Sequence, residues 1–140
     1  MITVQNFLYE LLTATQLTKH ILQLSTKEAL THAMRSVLTT QLQEFDMIET
    51  AILSYSGRIG LEFSELEPTG RYLYRFRLSH RFHRTDSDLS ERIILYFTKD
   101  QIFIQKLLHQ IDSHDPTLNI IAQKYLDRKA ITILQLQSFL

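Results

Sequence analysis

The chain reads as a mainly α protein, a four-helix bundle with a long connection between its second and third helices. Three observations predict this. Apolar residues recur at the 3.6-residue helical period over most of the 140 residues. Glycine (3) and proline (2) are too scarce for a turn-rich all-β fold. Capping patterns fall between the apolar stripes, where helices should begin.

Helix 1 is expected over residues 4–24, with Val4, Phe7, Leu8, Leu11, Ala14, Thr18, Ile21 and Leu22 on one face. Ser25-Thr26-Lys27-Glu28 then has the form of a capping box, which predicts the start of helix 2. That helix carries Leu30, Ala33, Met34, Val37, Leu38, Gln41, Phe45, Ile48, Ile52 and Tyr55 as its stripe, and Gly57 is its expected left-handed stop. At about 30 residues it would be roughly 45 Å long.

Asp88 with Glu91 predicts the start of helix 3, whose stripe is Leu89, Ile93, Tyr96, Phe97, Phe103, Ile104, Leu107, Leu108 and Ile111. Residues 92–98 and 101–105 are also rich enough in β-branched and aromatic side chains for strands; helix is the expectation. Asp115-Pro116 predicts a cap followed by a first-turn proline. Helix 4 then buries Leu118, Ala122, Leu126, Ala130, Ile133 and Leu136.

About 30 residues separate Gly57 from Ser87, longer than a structureless loop in a compact domain usually runs. Two readings fit, and they are compatible. A crossover would return the chain to the opposite end of the bundle and make helices 2 and 3 parallel. A β-hairpin would pair the alternating residues 61–66 with 71–78 around Glu67-Pro68-Thr69-Gly70. Glu62 and Glu65 would then face arginines across the pair.

The stretch Met34-Arg-Ser-Val-Leu-Thr-Thr-Gln-Leu-Gln-Glu-Phe-Asp-Met-Ile-Glu-Thr-Ala-Ile-Leu-Ser-Tyr-Ser-Gly-Arg-Ile-Gly60 resembles the second helix of bacterial spore-coat F-type proteins. In those, a glutamine-rich helix ends in an aromatic residue followed by an Arg/Lys-Gly turn. Phe7-Leu8-Tyr9-Glu10-Leu11-Leu12-Thr13-Ala14 is similar to their first helix. The resemblance spans about a third of the chain. It implies a ferritin-like bundle with a structural or assembly role and no established chemistry.

Size and composition narrow the classes. A chain of 140 residues, 44% hydrophobic and 21% charged, suits a single soluble domain with one core. No apolar run approaches the roughly 20 residues of a membrane span, so no membrane partner is expected. The first residues lack a signal peptide's basic start and cleavage site, and an intracellular, cytoplasmic protein is expected. Cysteine is absent, which removes disulfides, thiolate metal sites and thiol nucleophiles.

A formal net charge of zero conceals one strong asymmetry. Residues 71–84 contain five arginines and no acid, so they carry +5 and the other 126 residues carry −5. Tyr72, Tyr74, Phe76, Leu78 and Phe82 alternate there with Arg71, Arg75, Arg77 and Arg81 on the opposite face of a strand. Guanidinium groups pair phosphates and aromatic faces stack bases, so Arg71, Arg75, Arg77, Arg81, Tyr72 and Tyr74 form the candidate anion- or partner-binding set. The structural reading is equally direct. Edge arginines discourage aggregation while the alternate aromatics join the core. A third reading docks the arginines on an acidic surface of another subunit.

The catalytic and metal constellations are poorly met. A ferritin-like di-iron centre needs two glutamates and two Glu-x-x-His pairs pointing inward. Glu44 is followed three residues later by Met47, and Asp127 by Ala130, while Glu10 and Glu91 sit near helix starts, where the dipole favours acids. His109, Asp112, His114 and Asp115 gather at the turn before helix 4 and could hold a divalent ion weakly; their structural roles are a helix end and a cap. Glu28 and His32 read as a surface pair. Arg75-x4-His80 and Arg77-x5-His83 resemble the Arg-x4–6-His signature of the helical RNase family called HEPN, in a segment that alternates like a strand. No phosphate-binding glycine loop or Gly-x-Ser-x-Gly motif is present.

The sequence therefore predicts a non-catalytic structural or interaction protein, self-associating or bound to a protein partner, with no cofactor. The competing expectation is an RNA- or DNA-binding module working through residues 71–84.

Overall fold

The computed structural model describes residues 2–63, 85–111 and 115–140. Four helices occupy them: α1 (Val4–Glu28), α2 (His32–Arg58), α3 (Asp86–Gln110) and α4 (Pro116–Gln137). The predicted four-helix, mainly α architecture is the one observed, and residues 92–105 are helical throughout. Among the described residues the only β contact is an isolated parallel bridge between Ile2 and Ile111. The proposed hairpin falls on residues that are mostly outside the described ones; Leu61 and Phe63, at its start, are irregular.

End-to-end contacts fix the helix directions. Asp86, first residue of α3, accepts hydrogen bonds from the backbone N–H groups of Leu30 (2.8 Å) and Thr31 (3.0 Å) and from the Thr31 hydroxyl (2.6 Å). The start of α3 therefore sits beside the α1–α2 turn, where α2 also starts. At the opposite end, the Ile2 N–H donates to the Gln110 carbonyl (3.2 Å), and the Tyr55 hydroxyl donates to Asp115 (2.7 Å), which caps α4. Helices α2 and α3 thus run parallel, as the crossover reading predicts, and α1 and α4 run the other way. Each of α1 and α4 packs against both α2 and α3, so α1 and α4 face each other across the bundle.

Most of the expected stripes are buried. Phe7, Leu8, Leu11, Ala14, Ile21 and Leu22 of α1 meet Met34, Leu38, Phe45, Ile48, Ile52 and Tyr55 of α2, Leu89, Ile93, Phe97 and Ile104 of α3, and Leu118, Ala122, Leu126 and Leu136 of α4. At about 25 cal/mol per Å² of apolar surface removed from water, this shared interior supplies the main drive to fold.

Three boundaries differ from expectation. Ser25–Glu28 is the last turn of α1 and does not open α2. Ser25 is buried with its hydroxyl unpartnered, and α2 instead starts from Thr31, whose hydroxyl accepts the Met34 N–H (3.2 Å). Gly57 lies inside α2, and the left-handed residue is Gly60, at φ 82°. The cap of α3 is Thr85, which accepts the Asp88 N–H (3.1 Å), so Asp88 is a first-turn acid favoured by the helix dipole. Several expected core residues face out: Leu30 in the α1–α2 turn, Ala33 at the start of α2, Phe103 on α3 and Ala130 on α4. On α4 the inward position belongs to Lys129, one residue from Ala130 and about 100° away around the helix.

Asp86 ties the start of α3 to the α1–α2 turn through three hydrogen bonds, so its removal should loosen the parallel pairing of α2 and α3. Asp86→Ala is expected to cost about 1–3 kcal/mol. Urea unfolding should show a lowered midpoint with an unchanged slope.

Candidate functional site: a buried lysine ring at the bundle centre

The most chemically capable side chains of the described structure meet in its interior. Lys129 on α4 is fully buried, and its Nζ lies 3.1 Å from Asp100 Oδ2 on α3. The ammonium also donates to the Thr18 hydroxyl on α1. Tyr125, one turn before Lys129, donates its hydroxyl proton to the same Asp100 oxygen. Thr18 Oγ1 and Tyr125 Oη are 3.3 Å apart. Because Thr18 accepts from Lys129 and the Tyr125 proton is committed to Asp100, the Thr18 proton must point at the Tyr125 oxygen. Donation therefore runs Lys129 to Thr18, to Tyr125, to Asp100, and a direct Lys129–Asp100 contact closes the ring.

Aromatic faces surround the remaining surface of the ammonium. Its Nζ is 4.0 Å from the Phe97 ring centre and 5.1 Å from those of Phe45 and Tyr125. Phe45 meets Tyr125 edge-on at 5.7 Å. A desolvated cation–π contact contributes up to about 2 kcal/mol, which helps offset the loss of ammonium hydration. All four helices contribute: Thr18 from α1, Phe45 from α2, Phe97 and Asp100 from α3, Tyr125 and Lys129 from α4.

One turn beyond, a second buried polar contact joins α2 to α4. The Thr132 hydroxyl lies 2.8 Å from Gln41 Oε1 and 2.9 Å from the Arg128 carbonyl, and Gln41 donates to Gln135 (2.9 Å). On the surface, Lys19 joins α1 to Asp46 (2.6 Å) and Glu49 (3.0 Å) of α2, and Arg128 reaches Glu44 (3.4 Å). Pairs of that kind are each worth about 1 kcal/mol or less.

Electrostatics follow burial. Desolvation lowers the Lys129 pKa below its ordinary 10.5, against the opposing charge and hydrogen bond of Asp100. Burial, the Asp100 charge and the bond to it hold the Tyr125 pKa well above 10.0, with Thr18 acting weakly the other way. Burial and Asp115 push Tyr55 up to about 12, while the Tyr55 and Thr117 hydrogen bonds lower Asp115.

The ring leaves its polar groups engaged with one another, and Lys129 presents no surface to a substrate. Only Asp100 keeps partial access to water, its side chain being 22% exposed. Among the described residues no three His, Asp or Glu side chains converge to hold a metal. Glu44 is half-buried and paired with Arg128, Asp127 is exposed, and Glu91 is exposed at the start of α3. His109 is engaged with Gln105 (3.1 Å), and Asp115 is the cap that its position predicts. Asp112, His114, and the whole set Arg71, Arg75, Arg77, Arg81, Tyr72 and Tyr74 lie outside the described residues, as do His80 and His83. No described helix is long and apolar enough to cross a membrane.

Thr18 is a member of the expected α1 stripe, whereas Asp100, Tyr125 and Lys129 belong to no expected site or stripe. A signal was present. Leu118, Ala122, Tyr125, Lys129, Thr132 and Leu136 follow inward spacing on α4, as Leu89, Ile93, Phe97, Asp100 and Ile104 do on α3. One base and one acid on facing inward stripes predict a buried pair. Comparison of the chain with family models, with curated proteins and with solved structures finds no match.

The two charges are not equivalent. Asp100→Asn would strand a fully buried ammonium, whereas Lys129→Met leaves a carboxylate that keeps Tyr125 and some water. Asp100→Asn is therefore expected to cost about 3–5 kcal/mol and Lys129→Met less than about 1.5 kcal/mol, read from urea unfolding.

The pH response has a defined sign. With its folded pKa below 10.5, Lys129 makes the unfolded chain bind more protons, so stability should rise with pH through the window between those two values. Loss of Asp100 lowers the folded value further and should extend the rise to lower pH. Tyr125 opposes it above pH 10.0, where its raised folded pKa costs stability as pH climbs. Unfolding free energies from neutral pH to pH 10 should show a steeper rise for Asp100→Asn than for the unaltered chain.

Proposed function

We propose that this chain is a non-catalytic structural or interaction protein of the ferritin-like bundle type, acting through self-association. The observation that carries the reading is the occupant of the bundle centre. A ferritin-like metalloprotein places metal-binding carboxylates there. Here the same region holds an ammonium locked to Asp100, Thr18 and three aromatic rings. A cation supplied by the chain itself gives the interior cohesion and occupies Asp100 with its own charge. The helix order, with one crossover and parallel α2 and α3, is that of ferritin-like folds and supports the same assignment.

The outer surface supports association. Leu95 and Ile102 on α3, and Ile120, Ile131 and Leu134 on α4, all expose much of their side chains on faces turned away from the core. Light scattering on the purified chain, with an iron assay, should give a multiple of 16.5 kDa and no bound iron. A monomer carrying iron, or one with ferroxidase activity, would refute the proposal.

A second reading rests on the local charge of +5 in residues 71–84. If Arg71, Arg75, Arg77 and Arg81, with Tyr72 and Tyr74, bind RNA or DNA, affinity should fall steeply with salt. Replacing Arg75 and Arg77 by alanine should weaken it. Binding indifferent to both changes would eliminate this reading.

A further inference from the structure

The outward face of α4 carries a pattern whose spacing is the same in both directions and whose two charges exchange sign on reversal. Ile120, Lys124, Asp127 and Ile131 follow one another at spacings of four, three and four, which keeps them on a single stripe of the helix. All four are exposed, Ile120 at 55% and Ile131 at 38%, and Leu134 extends the stripe at 68%. None of the ion pairs among the described residues includes Lys124 or Asp127. Asp127 accepts a single hydrogen bond, from Gln123 on its own helix (2.9 Å).

We propose that α4 is the contact between two copies of this chain, packed antiparallel about a two-fold axis level with Tyr125 and Leu126. This inference rests on the self-association reading above and names its surface. In that arrangement Ile120 of one copy meets Ile131 of the second, and Lys124 meets Asp127. Two-fold symmetry repeats each contact, so two isoleucine pairs flank two ion pairs. Leu134 of each copy falls opposite Thr117 of the other.

Charge decides between this pairing and its rivals. A parallel pairing in register would set Lys124 on Lys124 and Asp127 on Asp127, one base–base and one acid–acid contact, both unfavourable. The outward stripe of α3 is Leu95, Lys99, Ile102 and Lys106, exposed at every position, with two bases and no acid. Two copies of that face have no complementary charge to offer each other. The α4 stripe is the self-complementary one.

Reciprocal charge reversal tests the pairing. Lys124→Asp gives a copy with two acids on the stripe, and Asp127→Lys a copy with two bases. Each alone should weaken dimerisation at least about tenfold, because both ion pairs become repulsions. An equimolar mixture restores an acid opposite a base at every position, so sedimentation velocity should recover the unaltered affinity as a mixed dimer. Circular dichroism checks that each variant is helical, and recovery on mixing shows independently that both are folded. Single variants that dimerise like the unaltered chain, or a mixture that stays monomeric, would overturn the α4 contact and leave self-association standing. An unaltered chain that is monomeric at every concentration would remove both proposals.

Discussion

The interior of this bundle is organised around one buried ammonium. An unpaired lysine in an apolar core is too costly to keep its charge, so Lys129 requires Asp100, Thr18 and the surrounding rings to arrive together. Those partners come from all four helices, and each is set by helical rotation as well as depth. Sliding α4 by a single turn, about 5.4 Å, would withdraw Nζ from Asp100 and place Ala122 at the level of Tyr125, or Thr132 at that of Lys129, according to direction. Apolar packing alone tolerates many such registers, because leucine fits against leucine at several heights. The polar ring selects one of them. Contacts at the two ends hold the same register: Asp86 at the α1–α2 turn, and Asp115 against Tyr55.

Much of this fold was legible from residue spacing, and the misses share a physical cause. Stripes on α1, α2 and α3 and the Asp115-Pro116 start of α4 were readable because each is a local pattern that decides its own conformation. The parallel direction of α2 and α3 followed from the length of the connection. The start of α2 was not readable, since Ser25-Thr26-Lys27-Glu28 and Thr31 both carry capping chemistry and only packing chooses between them. Burial of Ser25 against the other helices carries α1 through that sequence to Glu28. Gly57 and Gly60 compete in the same way to end α2, and the chain turns at the later one.

The central ring is hidden in the sequence for a different reason. An apolar stripe on helix 4 accommodates Ala130 and excludes Lys129. Lysine's charge argues for the surface only when no opposite charge shares the interior. Asp100 lies 29 positions away on another helix, so the pairing that reverses the rule is a tertiary fact. The stripe containing Tyr125 and Thr132 could have shown it, because both carry a hydroxyl at an inward position. Three polar groups at inward spacing on one helix call for a network, and a network needs a partner from another element.

Helix α4 also explains why its apolar pattern was the hardest to read. Leu118, Ala122, Tyr125, Leu126 and Leu136 point inward, whereas Ile120, Ile131 and Leu134 point outward, so apolar residues lie on opposite faces. A helix at the surface of a lone bundle needs one apolar face. Two such faces suit a helix between two layers, the core of its own bundle and a second body. The charged residues divide in the same sense. Lys129, facing in, is satisfied by Asp100 within the chain; Lys124 and Asp127, facing out, are complementary to each other but belong to no ion pair among the described residues. On an isolated bundle the outward isoleucines and leucine would be apolar surface exposed without return, and a second copy is the partner that both their positions and the intervening charges would fit.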